Sequence, residues 1–395
     1  MHLTQEEEQM LNGEHGETIQ RLFRLLVRLG DIYGADGMIP VGSVQVAGVS
    51  FKSIGEPGTA FLEDIASKNA KVKVLTFLNP AGMDLEDWED LGFPADFAKN
   101  QLRIMNAFKQ MGIVITSTCT PYLAGNLPRF REHIAWSESS AVSFSNSVIG
   151  ARTNREGGPS ALAAAICGRT PNYGLHLWEN RQPSVQVNVN ARLETNADFG
   201  ALGYLVGKEV KNKIPYFTGI PNANTDQLKA LGAAMAASGA VALYHIKELT
   251  PESDLVDISN LERISIDQSD VDGIFKKLSD GASPDIVILG CPHASLREIA
   301  TLAAKVKGKQ LKKPVWICTS RMMKEAADRM GFSETIAQAG GHVVADTCMV
   351  VSPIEQMGFK QTGVNSGKAA NYLPGFCKQK VIFSRIDDLL EEVIA

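Results

Sequence analysis

From Thr225 onward, predicted helices and strands alternate, and this alternation narrows the choice of fold more than anything else in the chain. Helical periodicity covers residues 227–238, 271–279, 295–307 and 320–330. Short apolar runs at 240–245, 285–290, 314–317 and 342–345 read as strands between them. Strands separated by such helices pair in parallel, because a crossover helix returns the chain to the same end of the sheet. An α/β fold with mainly parallel sheets follows. The first half is less regular. Thr4 and Glu7 form a capping box, Gly13 stops the short helix they open, and Leu22, Leu25, Leu26 and Leu29 mark one face of a longer one. Strands are expected at 44–50, 72–77 and 112–116, a turn around Gly55, Pro57 and Gly58, and helices at 96–111 and 386–394. Two regions are expected, 1–220 and 221–395, meeting where Pro215 and Pro221 flank a small-residue loop.

Charge and cysteine content exclude several function classes. With 39 Lys+Arg against 44 Asp+Glu, a net charge of −5 leaves no basic surplus for a phosphate backbone, so no nucleic acid partner is expected. The longest apolar stretches, 160–167 and 231–244, are too short or too broken by glycine to span a bilayer, so no membrane is expected either. The acidic start Met1 to Glu8 has no secretion signal, and six cysteines are too few for a disulfide framework; a cytoplasmic protein is expected.

Ligands in open α/β sheets bind outside the carboxyl ends of the strands. Cys119, Cys291, Cys318 and Cys348 all fall just after, or at the end of, a predicted strand. A cysteine there can be a small buried hydrophobe, or part of a shared thiolate site. The flanks separate the four: Cys119, Cys291 and Cys348 have small or polar donors beside sulfur, as an iron–sulfur site uses to tune its electronics. Cys318 runs into a helix start and reads equally as a packed thiol; Cys167 and Cys377 read as structural. Three ligands rather than four would leave an open position for Lewis-acid chemistry.

The segment from Gly150 to Ser160 is a candidate anion loop. Gly157 and Gly158 let the backbone approach a ligand, Pro159 suits the first turn of a helix, and Arg152 and Arg155 supply bidentate donors, with Asn154 and Ser160 between and after them. The plain alternative is a helix start with surface arginines. No phosphate-loop or dinucleotide fingerprint is present. Asn365-Ser366-Gly367-Lys368 is a second polar loop, and Ser139 and Ser140 are either a helix cap or substrate contacts. His133, His176 and His293 lie near these segments as candidate acid–base or hydrogen-bonding groups.

Taken in order, Ser117 to Tyr122, His133 to Ser140, Asn146 to Ser160, Gly174-Leu175-His176, Gly290 to Ser295, Asp346-Thr347-Cys348 and Asn365 to Lys368 resemble the aconitase X family across nearly the whole chain. The resemblance implies an aconitase-like architecture and a dehydratase with an iron–sulfur cluster, 4Fe-4S with one labile iron, on Cys119, Cys291 and Cys348. It implies a small anionic substrate held by Arg152, Asn154, Arg155, Gly157, Gly158, Ser160, Ser139, Ser140, Ser366, Lys368 and His293. The family pattern places the base on a swivelling small domain that this chain lacks, so the catalytic base is expected on a small partner subunit. Family members dehydrate cis-3-hydroxy-L-proline or (R)-5-phosphomevalonate, and residues 43–50 and 76–84 look closer to the archaeal, phosphomevalonate type. One departure stands out: Arg131, where the family pattern has glycine. Two other classes compete: a non-catalytic anion-binding protein with packed cysteines, and a zinc hydrolase using cysteine and His293.

Overall fold

The computed structural model describes residues 1–395. The chain builds three parallel sheets, each flanked by helices. The first sheet has the spatial order Leu75–Leu78, Ser43–Val46, Ala135–Trp136. The second runs His245–Ile246, Pro215–Thr218, Val185–Val189, Glu262–Ile266. The third runs Gly341–Ala345, Val315–Thr319, Ile286–Leu289, Gln361–Val364, Lys380–Phe383. The one antiparallel strand pair joins Met38–Pro40 to Arg169–Pro171. No helix is long and apolar enough to cross a membrane.

The second sheet straddles residue 220, so the boundary expected there falls inside one structural unit. Pro215 opens a central strand, a position where a missing N–H is tolerated, instead of marking a linker. Other local expectations also shift. Gly55 has φ 56° and kinks a helix spanning Phe51–Ser67, where a turn was expected. Residues 112–116 contribute only a bridge from Val114 to Phe77, and Val114 is 43% exposed. From 240–245 only His245 pairs, because the preceding residues pack as buried coil. Cys377 ends the helix Gly367–Cys377 and does not sit in an irregular tail.

The third sheet positions the site. Its chain runs outward from Ile286–Leu289 to Gly341–Ala345, then crosses back to place Gln361–Val364 on the other side of Ile286–Leu289. At such a reversal the loops leaving two neighbouring strands diverge and open a crevice at their carboxyl ends. Cys291 leaves one of these strands and Ser366 to Lys368 leave the other.

Candidate active site

Cys119, Cys291 and Cys348 are all buried and unpaired, each on a loop after a parallel strand or bridge of the first or third sheet. Each is preceded within two residues by a left-handed backbone: Ser117 (φ 42°), Gly290 (φ 83°) and Asp346 (φ 61°). These turns aim the following residues away from the strand direction; glycine adopts the conformation freely, whereas at Ser117 and Asp346 the strain persists only where the surroundings hold it. Asp346 is held by Arg321, whose Nε donates to its Oδ2 at 3.1 Å and whose Nη2 also meets Asp84. Asp84 in turn accepts the Ala345 N–H at 2.8 Å, so one buried carboxylate fixes both the strand end and the arginine. Gly290 has no alternative, because a Cβ there would stand 2.1 Å from the Cys318 carbonyl oxygen. Gly290→Ala is therefore expected to cost about 3 kcal/mol, from backbone strain and overpacking together, read as a lowered urea midpoint.

The thiols share an electrostatic environment. Burial pushes the Cys119 thiol up to about 12, against the pull of Lys368. Cys291 and Cys348 act on each other, so that Cys291 is raised well above the usual thiol range and Cys348 is lowered. Lys368 acts on all three sulfurs, favouring the thiolate at each. No three His, Cys, Asp or Glu side chains converge tightly enough to grip a single metal ion. Instead Cys119 and Cys348 border a cavity of about 240 Å³, with Cys291 beside Cys348. Soft donors spread around a space, with a buried cation behind them, suit a multi-atom group of several metals better than one ion. Cys318 is a packed thiol in the hydrophobic core, and burial raises it well above the usual thiol range.

Lys368, buried, forms an ion pair with the largely buried Glu138 at this cavity. Its Nζ also donates to Ser140 Oγ at 3.1 Å, and Asn79 Nδ2 donates to Glu138 Oε2 at 2.9 Å. Burial alone would raise the Glu138 carboxyl, but Lys368 and these donors hold it down to about 2. The same contact keeps Lys368 above the usual lysine range despite its burial. Ser139 and Arg155 complete the polar side, and Arg155 is exposed with no hydrogen bond or ion pair inside the chain. The opposite wall is apolar: Val350, Val351, Tyr372 and Phe376. Glu138 was missed in the sequence because a single acid among serines reads as a helix cap. It is one: its carboxylate accepts the Ser140 N–H at 3.3 Å while pairing with Lys368.

Other sequence candidates lie elsewhere or serve the scaffold. Arg152 donates to the His176 carbonyl at 3.1 Å. Asn154 clamps residues 173–175, donating to Tyr173 O at 2.9 Å and accepting Leu175 N–H at 2.8 Å. Ser160 is spent on Glu156 (2.6 Å) and the Gly157 backbone, and Ser366 caps its helix by accepting Ala369 N–H at 3.1 Å. Gly157 is the N-cap of the helix Gly158–Cys167, and a Cβ at Gly158 would stand 2.6 Å from the oxygen of Ala47, which lines the cavity. So Gly158 permits close packing of backbone on backbone, while Arg155 alone of the loop's side chains borders the cavity. His133 and His176 pair with each other at 3.0 Å, outside the cavity lining. His293 is fully buried and does not border the cavity either. Arg131 occupies a left-handed position (φ 64°), which accounts for the expectation of glycine there; its guanidinium lies over the Phe130 and Trp178 rings.

Comparison with known proteins agrees with this architecture. Residues 1–179, 183–276 and 284–395 match the descriptions "Aconitase X first domain", "Aconitase X second domain" and "Aconitase X third domain". The chain is 56% identical to the phosphomevalonate dehydratase large subunit of Methanocaldococcus jannaschii, over 99% of this chain and 100% of that one. It is 32% identical to the cis-3-hydroxy-L-proline dehydratase of Pseudomonas aeruginosa, over 98% of this chain but 68% of that longer one. The crystal structure of Thermococcus kodakaraensis aconitase X in its holo-form superimposes with a TM-score of 0.94 at 47% identity, covering 100% of both chains.

Proposed function

The chain belongs to the aconitase X family, and from that premise we propose that it is the large subunit of a hydro-lyase acting in the cytoplasm. Its substrate is (R)-5-phosphomevalonate, dehydrated to trans-anhydromevalonate 5-phosphate in a modified mevalonate route to isoprenoids. The observation that carries this reading is an unpaired guanidinium, Arg155, bordering the same cavity as two of three buried thiols. Near-complete coverage of a phosphomevalonate dehydratase large subunit at 56% identity supports the substrate over cis-3-hydroxy-L-proline.

Cys119, Cys291 and Cys348 are the residues that would hold an iron–sulfur cluster. Such a group, when bound, supplies a Lewis acid for the departing hydroxyl. Arg155 pairs with an anionic end of the substrate, as guanidinium does with phosphate or carboxylate. Arg155→Ala is expected to raise KM about 10–100-fold with a smaller change in kcat, the worth of a charged hydrogen bond in steady-state assays. Val350, Val351, Tyr372 and Phe376 supply the apolar part of the lining, suited to the hydrocarbon portion of the substrate. Neither buried titratable group here is a good base: Glu138 is held ionised down to about 2, and Lys368 is held protonated. In this reading, as the family resemblance implies, the proton acceptor comes from a small swivelling-domain subunit. The length by which the Pseudomonas aeruginosa relative exceeds this chain fits a fused version of that partner.

The test is anaerobic purification with iron, acid-labile sulfide and electron paramagnetic resonance measured on one sample, then turnover of both substrates with the small subunit added. Several irons per chain and turnover of phosphomevalonate are expected. A chain without iron after reconstitution would remove the chemistry, and turnover of cis-3-hydroxy-L-proline alone would overturn the substrate.

A further inference from the structure

We propose that His293 is the positioning residue of the thiol triad, a strut that joins all three cysteine loops at once. The inference rests on the iron–sulfur reading above. His293 follows Cys291 by two residues and is completely buried. Its Nε2 lies 2.7 Å from the Thr347 carbonyl oxygen, next to Cys348. A carbonyl only accepts, so Nε2 carries the proton and Nδ1 is free to accept. Thr118, next to Cys119, places its Oγ1 3.0 Å from Nδ1 and donates to it. That hydroxyl is itself oriented by accepting the Thr120 N–H at 3.2 Å. The main chain of His293 adds a third link, its N–H donating to Cys119 Sγ at 3.2 Å. Lys229 Nζ fixes the other side of the same residue by donating to its carbonyl oxygen at 3.0 Å.

The arrangement does what the partner of a metal-bound histidine does, with the roles reversed: here an imidazole orients loops whose sulfurs are the ligands. Losing the ring removes one tie to each of the Cys119 and Cys348 loops and leaves a buried Thr347 carbonyl without its donor, while the main-chain N–H still donates to Cys119 Sγ. Groups that hold ligands in place this way change metal retention and electronics, whereas a residue that only packs changes stability.

The test compares wild type, His293→Leu, His293→Gln and Thr118→Val as full chains purified anaerobically. Iron per chain, the half-time of iron transfer to a chelator, the paramagnetic resonance line shape and the melting temperature are read on each. His293→Leu is expected to release iron about 10–100-fold faster with an altered line shape. His293→Gln recovers part of both, because its amide keeps one donor and one acceptor; Thr118→Val shifts them in the same direction by a smaller factor. Wild-type release and line shape in His293→Leu overturn the proposal. If that variant does not fold, the same result in Thr118→Val and His293→Gln overturns it. A lowered melting temperature with unchanged line shape and release assigns the ring to packing alone and also overturns it. A wild-type chain that holds no iron or sulfide after reconstitution overturns the iron–sulfur reading together with this one.

Discussion

Single replacement of Cys119, Cys291 or Cys348 by serine is expected to abolish iron retention and to lower turnover about a thousandfold or more, while Cys167→Ser retains its iron. The magnitude follows from removing several kcal/mol of Lewis-acid assistance at about 1.4 kcal/mol per tenfold in rate. Serine keeps the size of the side chain and changes the donor from soft sulfur to a hydroxyl that stays protonated, so folding is spared and ligation is not. Cys167 is equally buried, but it closes the helix Gly158–Cys167 inside the core of the first sheet, away from the cavity. Iron analysis on the four proteins checks this, and full retention by all three of the first set would end the assignment.

Lys368→Met is expected to destabilise the fold by about 3–5 kcal/mol, because it strands the Glu138 carboxylate in a buried site without its cation. The double variant Glu138→Gln with Lys368→Met should recover most of that loss while turnover stays low, since no cation then faces the three sulfurs. The pair also predicts a pH dependence. The folded carboxyl titrates at about 2, below its ordinary 4.5, so its contribution is complete above the ordinary value and fades as pH falls through the folded one. Urea midpoints of the wild type should therefore drop between about pH 5 and 2, and the double variant should lose less over that window. Equal slopes would show that the pair does not contribute to acid stability.

The third sheet was the most legible part of the chain, since Ile286–Leu289 and Val315–Thr319 are short apolar runs followed by helices with their own caps, Ser295 and Ser320. Its last two strands escaped. Gln361–Val364 carries a threonine and a glycine where a periodic pattern needs apolar side chains, and the helix after it contains Pro374 and Gly375. The three loop cysteines were legible because a flank of small and polar residues is visible in one dimension. The Glu138–Lys368 pair was not: the partners lie 230 residues apart, and neither has a local reason to be buried. For the anion loop, composition pointed at two arginines, and only the folded backbone shows that Arg152 turns to a carbonyl while Arg155 faces the cavity. His293 was legible as a residue near the site, but its role as a strut depends on two threonines from distant loops.

The thiols come from widely separated parts of the sequence, and Cys119 meets the backbone of a residue 174 positions further on. During synthesis, a ribosome has released most of the polypeptide before the last of the three sulfurs emerges. The growing chain has no partial version of the site to offer, because Cys119 waits with its neighbours missing until the third sheet closes. A group held by all three sulfurs would therefore meet its complete set of donors only in the folded scaffold.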